Sequence, residues 1–341
     1  MGFTIVLLSF GFLALLLFLL TIYIYLRIAI AVGTGTDLPR WIYLIGSSLR
    51  GRFSSVQFDY VTDSTALKEA TLFILNFILA NIVVFGAVYY RTHHFSKALY
   101  MCLKAEFAIV VVVLILSHVI KLITVLFHRS NKPMYFYASS NAIVASMFFA
   151  CFAFMLFLSL TGFPSEPIEV QLDNTNVIIG ETKASELLSE GFTFYEKNAD
   201  SEIVNERNDH FYYGKLLEIF RDGKSYGFVS VTPTGKDSDS LKNCVITYYR
   251  IMADSEQLSE VTFNHTDLTH LTIHDFRTKD IKDIFSLNPV DSEETKNDTL
   301  FILTMQNAEY VLWKRYKIEV DFNEDGSAYR YGARAQHTQW E

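Results

Sequence analysis

Four long apolar segments constrain the fold of this chain more than any other feature of its sequence. They cover residues 2–26, 71–90, 107–127 and 138–160. Each is about 20 residues or longer, and a helix of that length, rising 1.5 Å per residue, can cross the roughly 30 Å hydrocarbon core of a bilayer. The sequence therefore predicts a membrane α-helical bundle with four transmembrane helices.

The first apolar segment has the properties of a retained helix rather than of a cleaved signal peptide. A signal peptide has a basic start and an apolar core of about 7 to 15 residues. In this chain no Lys or Arg precedes Arg27, and the apolar run is much longer than such a core. We expect the segment to remain as a transmembrane helix.

Charge divides the chain into two parts. Residues 1–164 contain 11 Lys and Arg and 5 Asp and Glu, for a net formal charge of +6. Residues 165–341 contain 18 Lys and Arg and 32 Asp and Glu, for a net formal charge of −14. We expect a four-helix transmembrane domain over residues 1–162 and a water-soluble, extracytoplasmic α+β domain over residues 163–341.

The distribution of Lys and Arg between the loops predicts the orientation in the membrane. Eight of these residues lie close to the membrane on the side of the first and third loops, and three or four lie on the opposite side. Because basic residues concentrate in cytoplasmic loops, we expect the first and third loops inside the cell. This orientation makes the chain a multi-pass protein of the cell membrane with an extracellular C-terminal domain.

Small residues recur every four positions in the last apolar segment. They are Ala138, Ala142, Ser146 and Ala150. Residues four apart lie on one face of a helix, and small side chains on that face let a neighbouring helix approach closely. The pattern predicts a helix-packing face.

A transporter is expected to have polar residues within its apolar segments, because such residues line the path of an ion or substrate. Asn76 and Asn81 lie in the second segment, and His118 and Lys121 lie in the third. They could line an ion or proton path. Alternatively, the Asn side chains bond to neighbouring helices and Lys121 extends toward the cytoplasm. A proton path usually needs a carboxylate at mid-membrane. Glu106 precedes the third segment and no other carboxylate lies within the segments, so we favour the second interpretation.

The second half changes to short alternating runs that predict strands. They cover residues 168–172, 192–195, 211–220, 225–232, 245–251, 300–304 and 310–322. Asp222-Gly223 and Asp325-Gly326 predict tight turns between strands, and residues 183–189 and 279–285 predict two short helices. The fold class is therefore a four-helix membrane bundle plus a soluble α+β domain with an antiparallel sheet. Two helix-plus-hairpin repeats could build this domain, because both helices begin with Thr and precede an Asp-Gly hairpin.

Several of these segments resemble domains of Firmicute surface proteins. The resemblance rests on IGETKASELLSEGFTF at residues 179–194, on residues 225–232 and on LKNCVI at residues 241–246. Residues 277–285 and 321–326 are similar to the second repeat of those proteins. They are more distantly similar to beta-lactamase inhibitor protein and to small outer-membrane assembly lipoproteins. The resemblance implies helices packed on an antiparallel sheet in each repeat, and protein binding rather than catalysis.

Motifs for catalysis, cofactors and metals are not found in the sequence. It contains no nucleophile elbow, phosphate-binding loop, zinc-protease motif or dinucleotide fingerprint. His265, His270 and His274 lie within ten residues of one another. In the strand or loop that this Thr-rich stretch favours, residues four apart stand about 13 Å from each other, too far to share a metal. We therefore expect no catalytic residues, no metal and no cofactor, and a protein that is not an enzyme.

The function that best fits these observations is membrane-anchored binding or sensing through protein or envelope contacts. Aromatic residues of the second half, among them Phe194, Tyr212 and Tyr226, are candidate partner contacts. The expected partners are the lipid bilayer and either another protein or further copies of the chain. Nucleic acid is excluded as a partner because phosphate binding needs a basic surface. The alternatives are an accessory subunit of a membrane transporter or enzyme, and a channel or transporter in its own right.

Overall fold

A computed structural model describes residues 2–48, 64–128, 136–205, 214–306 and 312–336. The chain forms two compact units, residues 1–160 and residues 161–341. Structural statements below refer to the described residues, and each unit is considered by itself.

The first unit is entirely helical. Its helices are α1 (Gly2–Thr34), α2 (Arg40–Ser48), α3 (Ser64–Thr92), α4 (Phe95–His128) and α5 (Ala138–Thr161). All except α2 are long and apolar enough to cross a membrane. The prediction of four candidate membrane-spanning helices is therefore confirmed, and such helices are compatible with a multi-pass membrane protein.

Helix α4 begins at Phe95, twelve residues before the apolar run in the sequence. The added turns contain Lys97, Lys104 and Glu106. These charged residues interrupt the apolar sequence, but Lys and Glu are good helix formers. The hydrogen bonds of the helix therefore continue through them. Glu106 consequently lies well inside a long helix and not at its start.

Small residues bring helices α2 and α5 into close contact. A Cβ atom added to Gly46 of α2 would lie 1.7 Å from the carbonyl oxygen of Ala138 in α5. Asn141 of α5 also donates a hydrogen bond from Nδ2 to the Gly46 carbonyl at 2.7 Å. The four residues that were expected to form a packing face on α5 are all buried, with exposed fractions of 4 % or less: Ala138, Ala142, Ser146 and Ala150.

The second unit contains fourteen described strands, three short α-helices and two single-turn 3-10 helices. The strands are β1 (Glu169–Leu172), β2 (Thr175–Ile178), β3 (Thr193–Phe194), β4 (Glu202–Val204), β5 (Lys215–Arg221), β6 (Lys224–Thr232), β7 (Ser238–Ser240), β8 (Val245–Met252), β9 (Val261–Phe263), β10 (Thr266–Asp267), β11 (Ser292–Lys296), β12 (Leu300–Met305), β13 (Arg315–Phe322) and β14 (Ala328–Gln336). The α-helices are α6 (Ala184–Ser189), α7 (Ile273–Thr278) and α8 (Ile281–Ile284).

All strand pairs in this unit are antiparallel, which confirms the prediction of an antiparallel sheet domain. The large sheet has the order β11-β12-β13-β14-β8-β6-β5-β3, and a four-stranded sheet has the order β10-β9-β1-β2. Strands β4 and β7 form a separate pair. Strands β8 and β14 meet at the centre of the large sheet, and β1 and β9 meet at the centre of the small one.

Alternation along the strands produces the core of the second unit. In β13 every second residue is buried, from Tyr316 to Phe322, as expected for a sheet with one face on the core. A cluster of aromatic rings lies under the second half of the sheet, with neighbouring centroids 5.4 to 6.1 Å apart: Phe263, Phe276, Phe285, Phe301 and Phe322. Such contacts join α7 and α8 to the two sheets.

Candidate functional sites

The first polar site of the helical unit is an ion pair between Glu69 of α3 and Lys121 of α4. Lys121 Nζ lies 2.5 Å from Glu69 Oε1. The other oxygen, Glu69 Oε2, accepts hydrogen bonds from the Tyr137 backbone N–H at 3.1 Å and from the Ser140 hydroxyl at 2.7 Å. Because Tyr137 and Ser140 belong to the start of α5, the carboxylate also lies at the positive end of that helix. Glu69 therefore ties three helices together.

The Phe136 ring contacts Lys121 of this ion pair and also the ring of His118, another of the predicted polar residues. Lys121 Nζ lies 4.1 Å from the centroid of the Phe136 ring, and the His118 ring contacts the same ring at a centroid distance of 5.3 Å. His118 itself is exposed, and its Nδ1 lies 2.8 Å from the Leu114 carbonyl oxygen on its own helix. Asn76 lines a cavity of about 110 Å³ beside these residues. The arrangement is that of an interhelical anchor with a small adjoining cavity.

The second polar site joins Glu106 of α4 to Asn81 of α3. Asn81 Nδ2 lies 3.4 Å from Glu106 Oε2 and also donates to the Phe77 carbonyl oxygen at 3.1 Å. The thiol of Cys102 lies 3.2 Å from Asn81 Oδ1. No Lys, Arg or His forms an ion pair with Glu106 in the part of the chain that the structure describes. This carboxyl group therefore has an amide as its polar neighbour, whereas Glu69 has a cation.

The second site lies deep along both helices. Asn81 is eleven residues from the end of α3, and Glu106 is eleven residues from the start of α4. Eleven residues of α-helix rise by roughly 16 Å, about a third of the length of α4. The expectation that Glu106 lies at the start of the third helix is therefore wrong, because α4 begins at Phe95, before the charged residues and not after them.

Two of the three candidate partner contacts are core residues. Phe194 and Tyr226 each have an exposed fraction of 4 %, so neither lies on a surface that a partner could reach. The Tyr226 hydroxyl donates a hydrogen bond to Glu260, and burial, followed by this bond, raises the pKa of Tyr226 to about 12. The Arg221 guanidinium lies over the rings of Tyr226 and Phe192. Tyr212 lies outside the described residues.

The three histidines of the second half do not converge. His265 lies in the turn between β9 and β10, His270 lies in the following loop, and His274 lies on α7. Within the described residues, no group of three or more His, Cys, Asp or Glu side chains could hold a metal ion. The nearest acidic partners stand 3.7 to 3.8 Å from the His270 and His265 rings, and both rings are largely exposed. These histidines are surface residues.

The large sheet ends in strand β11, which has no further described strand beside it. Its partner β12 pairs with every one of its five residues. The Asn297 N–H bonds to the Leu300 carbonyl at 2.9 Å, and ladder bonds of an antiparallel pair recur at every second residue. The N–H and C=O groups that point away from the sheet consequently belong to Ser292, Glu294 and Lys296. At the other end of the sheet, β3 has only two residues.

Comparison with known proteins finds no matching family model, no similar curated protein and no similar solved structure. The resemblance of the second half to Firmicute surface domains thus rests on the quoted sequence segments alone.

Sequence reasoning missed the two residues that organise the polar sites. Glu69 lies two residues before an apolar run and was not considered as a site residue, and Glu106 lies one residue before another run and was placed at the start of its helix. A helix-continuation argument would have found Glu106, because no proline or glycine separates residues 95–106 from the apolar run. The partners Lys121 and Asn81 could not be assigned from sequence, since they lie on different helices.

Proposed function

We propose that this chain is a membrane-anchored binding protein. In this proposal, helices α1, α3, α4 and α5 span the cell membrane, and the second unit lies outside the cell and binds a partner protein. The apolar length of the helices and the excess of basic residues in the first and third loops support the proposed topology. The net charge of −14 over residues 165–341 supports a partner with a basic binding segment.

The free edge of β11 carries the proposal. An open edge presents unpaired N–H and C=O groups, and extended peptides bind to such edges as an added strand. Strand β11 is five residues long and contains no proline. Its Glu294 lies 3.4 Å from Lys296 and accepts a hydrogen bond from the Lys282 N–H, which leaves the exposed Glu293 as the unpaired charge of the strand among the described residues. We propose that β11 accepts an extended, basic segment of the partner.

A second copy of the same strand is a poorer occupant of this edge. Antiparallel pairing of two β11 strands about their central residue would place Glu294 directly opposite Glu294. Like charges directly opposite each other destabilise a strand pair. In this register, repulsion between the two carboxylates disfavours self-association, although each Glu294 is also paired with Lys296 of its own strand at 3.4 Å.

The large sheet could have arisen by duplication of a helix-plus-hairpin unit. Helix α6 precedes β3, β5, β6 and β8, while α7 and α8 precede β11 to β14. The two sets of strands occupy opposite halves of the sheet and meet through their last members. In this proposal the partner-binding edge belongs to the second repeat, which contains α7, α8 and β11 to β14. The first strand of that repeat, β11, is longer than β3, the first strand of the other repeat.

The test is photo-crosslinking in membranes of cells that produce the full chain. A photoreactive amino acid replaces Thr295, an exposed residue whose side chain lies on the outer face of β11. We expect a discrete adduct with one partner protein. The same amino acid at Glu324, an exposed residue in the turn between β13 and β14, should give no such adduct.

Proline substitutions separate backbone pairing from side-chain contact. The double variant Ser292→Pro/Lys296→Pro removes two outward N–H groups and keeps the N–H groups that bond to β12. We expect its adduct yield to fall by at least about tenfold, since each hydrogen bond contributes roughly 1 kcal/mol. The control Ser292→Ala/Lys296→Ala keeps both N–H groups and should retain the adduct. An adduct that persists in the proline variant, or that is absent from the parent chain, overturns the proposal.

A further inference from the structure

The two carboxyl groups on the described helices α1 to α5 have different surroundings. Glu69 is paired with Lys121 and bonded to the start of α5. Glu106 is only partly exposed and forms no ion pair with any described cation. Lys104 is two residues away, but its Nζ lies 5.5 Å from the ring centroid of Tyr100, one turn earlier on the helix. The charge of an ionised Glu106 would therefore have no neutralising partner.

We propose that Glu106 is a proton-binding site in the middle of the helical bundle. An ionised carboxylate away from water is strongly unfavourable unless a cation or several hydrogen-bond donors compensate it, and taking up a proton removes that cost. One amide N–H at 3.4 Å is weak compensation. The neutral acid is the form that suits this position.

The hydrogen bond from Asn81 does not distinguish the two forms of Glu106, because a carboxylate oxygen and the carbonyl oxygen of a neutral acid both accept from an amide N–H. The lack of a described cation beside Glu106 is what favours the neutral acid. The Cys102 thiol donates to Asn81 Oδ1, which orients the amide so that Nδ2 faces Glu106 Oε2. In the neutral acid, Oε2 is a carbonyl oxygen that accepts from the amide, and Oε1 carries the proton. Titratable groups that face Glu106 are Cys102 on its own helix and Cys151 on α5, whereas α3 contributes the uncharged Asn81.

The same geometry is unsuitable for a metal cation. Hard cations such as Ca²⁺ and Mg²⁺ take six or more oxygen ligands. Glu106 offers two oxygens, and the oxygen of Asn81 is directed at the Cys102 thiol while its nitrogen faces the site. The proton is the ligand that needs only one oxygen.

The test is labelling of the full-length protein in detergent with dicyclohexylcarbodiimide. A protonated carboxyl group adds to this reagent through its oxygen and transfers its proton to a carbodiimide nitrogen, and the product rearranges to a stable acylurea. Mass spectrometry of peptides locates the label. We expect labelling of Glu106 and none of Glu69. Labelling of Glu106 should fall about tenfold per pH unit above its midpoint, as for one titrating group.

Two variants serve as controls. Glu106→Gln should abolish the label, while Glu69→Gln should leave the label on Glu106 in place. The proposal is overturned if Glu106 stays unlabelled between pH 5 and 9, if Glu69 is labelled equally, or if labelling does not change with pH. Protection of Glu106 by added Na⁺ at constant pH and ionic strength would show a cation site and would also overturn it.

Discussion

The helical unit contains two regions with contrasting chemistry. At one end, where α2 meets α5 and where α3 and α4 meet the start of α5, backbones are in close contact and the carboxylate of Glu69 has a cation and two further donors. In the middle of the α3 and α4 pair, Glu106 has one distant amide. The first region has the composition of a structural anchor. In the second region Glu106 has no described cation beside it, and ionisable residues within membrane helices commonly mark functional sites.

The largest effect should come from filling the contact between α2 and α5. In Gly46→Ala, the new methyl group would overlap the carbonyl of Ala138, and a backbone atom cannot move aside cheaply. We expect a loss of about 3 kcal/mol, at the upper end for overpacking. Thermal unfolding can be followed with a thiol-reactive dye, because all three cysteines are buried and free. Gly33→Ala in α1, where nothing lies within 4 Å of the new atom, should be harmless; equal losses would show that the contact is loose.

Removal of the cation beside Glu69 should have the next largest effect. Lys121→Met leaves the carboxylate with hydrogen-bond donors but without its charge partner. The two side chains are 19 % and 15 % exposed, so we expect a loss of about 2 kcal/mol, below that of a fully buried pair. The double variant Glu69→Gln/Lys121→Met should recover part of this loss in the same assay. Additive losses from the two single substitutions would contradict a coupled pair.

A smaller loss of stability is expected from removing the hydrogen bond between α5 and α1, and it tests whether the close packing at the start of α5 continues to Ser146. Ser146 and Thr21 of α1 share a hydrogen bond of 2.8 Å. We expect Ser146→Ala to cost about 0.6 kcal/mol, typical for such a bond between membrane helices. The control is Ser117→Ala, because among the described residues Ser117 bonds to the Val113 carbonyl of its own helix and not to another helix. A loss at Ser117 as large as that at Ser146 would remove the distinction.

The smallest effect on stability should occur at Glu106, in contrast to Glu69. Gln has almost the shape of a protonated Glu and accepts the same hydrogen bond from Asn81. We therefore expect Glu106→Gln to change the unfolding free energy by less than about 0.5 kcal/mol, the range of neutral substitutions. Unfolding measured at pH 6 and pH 8 should show less pH dependence in this variant than in the parent. A loss as large as that of Lys121→Met would mean that Glu106 is ionised and structurally paired.

Two sequence signals predicted most of the fold. Uninterrupted apolar length predicted α1, α3, α4 and α5, since no other structure satisfies so long an apolar backbone in a bilayer. Asp-Gly pairs predicted the turns of the large sheet, and Asp222 and Gly223 indeed have positive φ angles of 54° and 77°. Seven described strands were not predicted: β2, β4, β7, β9, β10, β11 and β14. Five of them have only two to four residues, which is too short for a periodic signal. The longer strands β11 (SEETK) and β14 (AYRYGARAQ) were missed because their polar and small residues interrupt the apolar alternation.

Sequence and tertiary structure decided different properties of this protein. The sequence alone determined that four helices are apolar enough for a membrane and that the acidic second half forms an antiparallel sheet. Only the tertiary structure paired Glu69 with Lys121, 52 residues away, and placed Asn81 beside Glu106, 25 residues away. The reason is that helices apolar on all sides carry no periodic signal for the face that meets a neighbour. Packing of small and large side chains between helices sets their rotation, and that rotation decides which polar groups meet.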